Sequence, residues 1–346
     1  MKTYIFSLCC GRPKAAPTIV CAHTQINNRL DFFSILRYNL IIYQNGSKIN
    51  MKIKAEEYIN PAGESCVILR GQNAFCPSDI FDCGQSFRFK PIGELYYEGV
   101  AFGRYIRVKK HGSDIILENT NLPELNSVWH DFFDLGRDYS QIICGFSGDS
   151  VLSGAIDFCP GMRIIKQEPF ETLISYIISQ NNNIPRIMGI IARLCESLGS
   201  AVIHNGKVYH SFPTPAAIAR AGEEGLAPLR AGFRAKYILN AAKAVDSGII
   251  DLAAVYNMDI HQGSRYLQQL QGVGPKVSAC VLLFAYNKLD AFPIDVWVRR
   301  LLDKYYPGLK DPAGHFGEYA GIAGEYLFFY ERRVGNSIEN TKSAKA

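Results

Sequence analysis

Lys276 and Asp295 stand nineteen residues apart, each at the head of a helical apolar pattern. A lysine in the first turn of a helix is badly placed for stability, because the positive end of the dipole disfavours the ammonium form. At an ordinary pKa near 10.4 only about one lysine in 2500 is a free amine at neutral pH, so a lowered pKa would supply a nucleophile. Asp295 precedes Val298, Leu301 and Leu302, and by type and place it is an N-cap. Cys280 falls one turn beyond Lys276 on the same helical face. Read alone, Val277, Cys280, Val281 and Phe284 form a core stripe and Lys276 simply reaches solvent.

The elements that would hold these residues are a helix, a hairpin and a helix. Residues 262–270 have the pattern of a short helix, Gly272-Val273-Gly274 breaks it, and Pro275 suits the first turn of the next. Gly272 and Gly274 let the backbone approach a ligand, and the second helix presents unpaired N–H groups, so a phosphate fits there. A hairpin of this kind followed by Pro293-Ile294-Asp295 resembles the active-site signature of the helix-hairpin-helix DNA glycosylases, whose lysine-bearing members are combined glycosylase/lyases. The resemblance implies that the Lys276 amine attacks the sugar C1′ and that Asp295 stabilises the cationic transition state. It implies no redox cofactor and no catalytic metal, with a structural cation on the carbonyls of Gln268, Leu270 and Val273 as similar hairpins have.

The whole chain has 346 residues, enough for two or three domains with a real core, and its 48% hydrophobic content is that of an ordinary globular protein. A net charge of +5 permits polyanion binding without demanding it. Ten cysteines include no C-x-x-C pair and none beyond Cys280, which excludes a zinc ribbon and a C-terminal four-cysteine cluster and suits reduced, intracellular thiols. No stretch reaches the roughly eighteen apolar residues of a membrane span. Residues 1–50 read as a leader outside the fold, since the apolar run from Tyr4 to Cys10 is too short for a signal peptide and Met51 opens a segment that looks like a protein start.

From Glu64 the pattern is that of strands: 66–69, 86–89, 95–100, 105–108 and 115–117, punctuated by Gly93, Gly103 and Gly112. Cys76-Pro77-Ser78-Asp79 starts a short helix that ends before Gly84, which by itself could be only a C-cap. The segment Phe81 to Arg88 resembles the N-terminal domain of 8-oxoguanine DNA glycosylases, and the resemblance puts the Gly84 carbonyl against the N7 hydrogen that only the oxidised base carries.

After Pro123 the pattern is helical for nearly the whole remaining chain. Residues 170–179 place Leu173, Ile174, Ile177 and Ile178 on one face, and a second helix is expected from Ile187 to Leu198. Between them Asn181-Asn182-Asn183-Ile184-Pro185-Arg186 forms a surface corner, in itself no more than a solvated loop. Residues 181–240 hold seven Lys or Arg against three acids, and an exposed Phe233 beside Arg234 is what a protein needs to wedge a base stack. By the resemblance Asn181 fills the gap left by a flipped base, Phe233 is the wedge, and Arg186 and Arg234 read the orphaned cytosine. The segment from Gly317 to Phe328 can be an amphipathic helix; the resemblance makes it the wall of a base pocket, with Phe328 stacking on the base opposite Cys280. Gly324 departs from the family, which typically has glutamine there, so a contact to the pairing edge would fall to water or to a neighbour such as Glu325. Trp297 departs too, where histidine is common.

The reading is therefore α+β: a leader over 1–50, an antiparallel sheet domain over 51–122, a helical catalytic domain over 123–330 and a polar tail over 331–346. The resemblance covers about residues 60–330 and implies a monomeric, intracellular enzyme acting on damaged double-stranded DNA, with no membrane association. It would remove 8-oxoguanine opposite cytosine through a lysine Schiff base and nick the strand by β-elimination. Two alternatives stay open: a glycosylase of the same superfamily with another damaged base, and a non-catalytic hairpin module that binds phosphates without using Lys276 or Asp295.

Overall fold

The computed structural model describes residues 53–343, of which 335–343 by backbone alone, together with the backbone of three strands, Val20–Ala22, Leu36–Gln44 and Ser47–Ile49. The rest of the leader expected over 1–50 lies outside the described residues. The chain divides into two compact units, one of residues 1–73 and 106–138, the other of 74–105 and 139–346. The segment 74–105 groups with the helices of the second unit.

In the first unit Lys54–Ile59, Ser65–Leu69 and Asp114–Glu118 pair antiparallel in that order, and Asp114–Glu118 also pairs with Arg104–His111. The register sets Leu117 between Val67 and Val108, and Ile115 opposite Leu69. All five side chains are fully buried, so alternate residues of each strand form one apolar face as the period of two requires. Asn121 caps the helical segment that begins at Leu122, and its side chain accepts from the Glu124 N–H at 2.9 Å. That segment buries Trp129, Phe132 and Phe133 edge to face.

The second unit is mostly helical. Its central element is the helix Pro169–Ser179, which packs against both Pro275–Tyr286 and Arg234–Asp246. Leu173, Ile174, Ile177 and Ile178 are all fully buried as their spacing predicts, and Tyr176 on another face is buried as well. The next helix runs Ile184–Leu198, three residues earlier than expected: Pro185 sits in its first turn, where a missing N–H is harmless, and Asn183 caps it by accepting from the Arg186 N–H at 3.0 Å. The strand expected over 86–89 begins only at Phe89 and runs to Gly93, pairing with Tyr96–Ala101. Ser86 and Phe87 lie outside it, following a Gln85 whose carbonyl is taken by Gln167 Nε2 and the Tyr176 hydroxyl. One hairpin interrupts the helices, Ala201–His204 with Lys207–His210, closed by Asn205-Gly206 at φ +47° and +72°. An Asn-Gly pair is the standard two-residue hairpin turn, but Ile203 and Val208 are exposed, so no half-buried alternation marks the strands. The C-terminal helix Ala320–Ser343 continues through the region expected to be a polar tail.

The hairpin that positions Lys276 joins Ile260–Leu267 to Pro275–Tyr286. Asp259 and Gln262 form a capping box at the first helix, which starts two residues earlier than the sequence pattern suggests. Gly272 has φ +85°, and a Cβ built on it would stand 2.5 Å from Cγ of Tyr237. Both backbone and space therefore demand glycine. Gly272→Ala should destabilise the protein by about 2–4 kcal/mol, as left-handed strain adds to overpacking; urea unfolding at constant m-value checks this, and a loss under about 0.5 kcal/mol, the range of a neutral surface change, would show that the turn relaxes.

Candidate active site

Lys276 is the second residue of its helix and half buried. Its ammonium lies 4.9 Å over the Tyr176 ring and donates to the Ser179 Oγ at 3.2 Å, so two residues of the central helix aim it. Ser264 and Ser278 meet across the hairpin at 2.9 Å between hydroxyl oxygens, and Gln268 Nε2 donates to Ser264 Oγ at 2.8 Å, which fixes one hairpin helix against the other. The Gly274 N-cap faces open space, as a phosphate seat must. Among the described residues no three His, Cys, Asp or Glu side chains gather as metal ligands. At the carbonyls of Gln268, Leu270 and Val273, that of Leu270 already accepts from the Val273 N–H at 3.0 Å.

Asp295 caps Val296–Tyr305: its Oδ1 accepts from the N–H groups of Trp297 and Val298, both at 2.9 Å. Both cap bonds use the same carboxylate oxygen. Cys280 is buried, which pushes its thiol up to about 11 although the adjacent Lys276 pulls the other way. Glu325, on the C-terminal helix, is 8% exposed; burial pushes its carboxyl up to about 7, against the pull of a Cys83 hydrogen bond and the charges of Arg332 and Lys276. Both Cys280 and Glu325 also feel the charge of Asp295, so Lys276, Cys280, Asp295 and Glu325 share one low-dielectric locus.

Gly84 opens the opposite wall. At φ +103° it adopts a conformation closed to other residues, and a Cβ there would meet Arg332 Nη1 at 2.9 Å, Ile184 Cδ1 at 3.3 Å and Phe328 Cε1 at 3.6 Å. Beside it Gln85 is buried and fully bonded: Nε2 donates to the carbonyls of Ile80 and Arg163, and Oε1 accepts from the Ile165 N–H. Its own carbonyl accepts from Gln167 Nε2 and the Tyr176 hydroxyl. Arg332 closes the wall, donating to the carbonyls of Cys83 and Asp82 with its guanidinium 5.5 Å from the Phe328 ring. Burial lowers its pKa. At Gly324 a side chain is excluded, since a Cβ would stand 2.9 Å from the Phe292 ring, itself stacked on Phe316.

The remaining residues singled out in the sequence form a second cluster. Asn181 is exposed at φ +46°, and Arg186 is exposed one turn into the following helix. Phe233 is 56% exposed, packed edgewise on Tyr237 at 6.0 Å. Arg234, in contrast, is 2% exposed: it donates to the carbonyls of Gln180, Asn181 and Ala231 and lies 4.4 Å from the Phe233 ring. Burial and the neighbouring Arg186 lower its pKa. Its guanidinium thus anchors the asparagine loop, while Arg186 is the arginine at the surface. Sequence reasoning missed Gln85, Tyr176, Ser179 and Arg332; only Gln85, inside the Gly84 motif, carried a signal.

Residues 174–314 match the model of the HhH-GPD superfamily of base excision DNA repair proteins, which sets the class of the protein. Residues 67–173 match the 8-oxoguanine DNA glycosylase N-terminal domain. Similar proteins include a probable N-glycosylase/DNA lyase of Methanothermobacter thermautotrophicus, 31% identical over 59% of this chain and 73% of its own, and an N-glycosylase/DNA lyase of Arabidopsis thaliana, 28% identical over 72% and 76%. The Clostridium acetobutylicum 8-oxoguanine glycosylase/lyase, solved with double-stranded DNA containing cytosine opposite the lesion, is 36% identical with a TM-score of 0.75, covering 78% of this chain and 95% of that one. The chain belongs to the 8-oxoguanine DNA glycosylase family of DNA N-glycosylase/lyases.

The raised carboxyl of Glu325 has a thermodynamic signature. Its folded pKa of about 7 lies above the ordinary 4.5, so its contribution favours the fold fully below about pH 4.5 and is lost as pH rises through 7. Glu325→Gln should therefore raise stability by on the order of 1–3 kcal/mol at pH 8 and change it little at pH 4.5. Urea unfolding at both pH values tests this, and an equal effect at both would mean that the carboxyl does not titrate with folding.

Proposed function

We propose that this protein removes 8-oxoguanine from duplex DNA and then cuts the strand, with Lys276 as nucleophile. The carrying observation is the seat of the Lys276 amine: half buried on an aromatic face, hydrogen-bonded by Ser179, and in one electrostatic locus with Asp295. A cation that is desolvated and placed at a helix N-terminus is a poor structural choice and a good nucleophile once its proton is gone.

The damaged nucleotide leaves the stack at a cost of a few kcal/mol and enters between Cys280 and Phe328, under the Gly84 carbonyl. The neutral Lys276 amine forms a bond to C1′ as the C1′–N9 bond breaks, and the electron pair leaves with the base. Asp295 stabilises the positive charge that develops on the sugar. Ring opening gives a Schiff base, and loss of a C2′ proton expels the 3′ phosphate. The Cys280 thiol, protonated at neutral pH, offers no competing anion to this step. Phe233 enters the stack, and Asn181 fills the space of the lost base. Cytosine is the preferred partner, since Arg186 donates to its pairing-edge acceptors whereas adenine presents a donor toward the same space. Arg234 supports this by holding the loop that carries Asn181.

Lys276→Gln should abolish base release and borohydride trapping while leaving binding to damaged duplex nearly intact; a variant that still traps would move the nucleophile elsewhere. Asp295→Asn keeps a capping side chain and should melt within about 1 kcal/mol of the parent, yet release base at least about a hundredfold more slowly. Excision opposite cytosine should exceed that opposite adenine by about tenfold to a hundredfold, and Arg186→Ala should narrow the gap by weakening the cytosine complex. Equal rates opposite both bases in the unmutated enzyme would limit the arginine to phosphate contacts.

A further inference from the structure

Tyr176 carries a hydroxyl that its burial does not need. The residue is 4% exposed on the central helix, with its ring parallel to Phe284 at 5.4 Å and edge-on to Phe87 at 5.9 Å. Phenylalanine would fill that space with no polar atom to satisfy, whereas a buried hydroxyl must find a partner. The partner is the Gln85 carbonyl, 3.3 Å away, which already accepts from Gln167 Nε2 at 2.8 Å. One donor satisfies a carbonyl; a second, on the other lone pair, fixes the direction in which it points. Gln85 follows Gly84, which at φ +103° and without a Cβ has little of its own to hold its carbonyl. The peptide that joins them is clamped on the far side through the side chain and the carbonyl of Gln85, and on the near side by Arg332 at the carbonyls of Asp82 and Cys83.

The ring serves a different group. The Lys276 ammonium stands 4.9 Å over it, and the negative face of an aromatic ring attracts a cation. Ser179, one turn further along the same helix, accepts from that ammonium at 3.2 Å. We propose that Tyr176 is a positioning residue for both halves of the reaction: its hydroxyl aims the Gly84 carbonyl at the base, and its ring seats the amine that attacks the sugar. This rests on the base-removal reading above and adds a residue that acts through Gly84 and Lys276. The two halves are separable. Base release draws on both, and cleavage at an abasic site, which has no base, draws on the ring alone.

The test measures single-turnover release of 8-oxoguanine opposite cytosine beside cleavage of a duplex with an abasic site. Tyr176→Phe removes only the hydroxyl and should lower the ratio of base release to abasic cleavage by about threefold to tenfold. Gln167→Met, which removes the other donor to the same carbonyl, should lower it in the same sense. A hydroxyl with a packing role alone would slow both reactions alike. The ring is read with mono-, di- and trifluorinated phenylalanine at position 176, which keep its size while draining charge from its face. The pH at which abasic cleavage reaches half its plateau should fall stepwise, by about half a unit to one unit in all, since a weaker seat releases the ammonium proton sooner. Cys280, Asp295 and Glu325, the titratable groups around the amine, are the same throughout that series. A ratio unchanged in Tyr176→Phe, or a midpoint unmoved by fluorination, overturns the proposal. Absence of both activities in the unmodified enzyme would instead overturn the functional reading on which it rests.

Discussion

The helical unit depends on one buried amide. Gln85 is almost wholly enclosed, and its side chain is bonded to the backbone at Ile80, Arg163 and Ile165 while its carbonyl receives Gln167 and Tyr176. Buried polar groups of this kind are costly if half satisfied and rigid if fully satisfied. Here satisfaction is complete, and it locks the turn at Gly84 onto the strand-like segment 163–167 and onto the central helix. Tyr176 is the link between walls: its hydroxyl belongs to the Gln85 network and its ring lies beneath the Lys276 ammonium. The carbonyl that would face the base and the amine that would attack the sugar are thus held by the same side chain.

The hairpin adds a second constraint of a steric kind. The Tyr237 ring leaves no room for a side chain at position 272, and Asn240 on the same helix donates to Gln271 at 2.6 Å. Since the helix Arg234–Asp246 also begins with the residue that anchors the asparagine loop, the hairpin and the loop are gauged from one element. A shift in that helix would move the expected wedge, the expected gap-filler and Lys276 together.

Much of this was legible in the sequence. The apolar spacing of Leu173, Ile174, Ile177 and Ile178 marked a buried helix, and the Asp295 cap and the Gly272 turn follow from residue type because a cap needs a short acceptor and a left-handed turn needs glycine. What stayed hidden has physical causes. The grouping of 74–105 with the helices depends on tertiary contacts that no local pattern records. The hairpin at 201–210 lacks a buried face and so lacks alternation. Arg234 looks from its neighbourhood like a surface arginine beside an exposed aromatic; that its guanidinium is enclosed by three carbonyls depends on a loop fifty residues away. The carboxyl of Glu325 could be named only as a neighbour, because its burial and its unpaired oxygen appear once distant segments meet around it.

The thiols of the site bear on the conditions in which such a protein works. Burial pushes Cys280 up to about 11 and holds Cys83 and Cys159 well above the ordinary range. Peroxide attacks the thiolate, and a thiol four pH units below its pKa presents only about one anion in ten thousand molecules. The cell produces 8-oxoguanine when oxidants are abundant, which is when a sulfur beside Lys276 would be at greatest risk of becoming a sulfenic acid. By denying these sulfurs their ionised form, the apolar surroundings let the site persist through the same chemistry that creates its substrate.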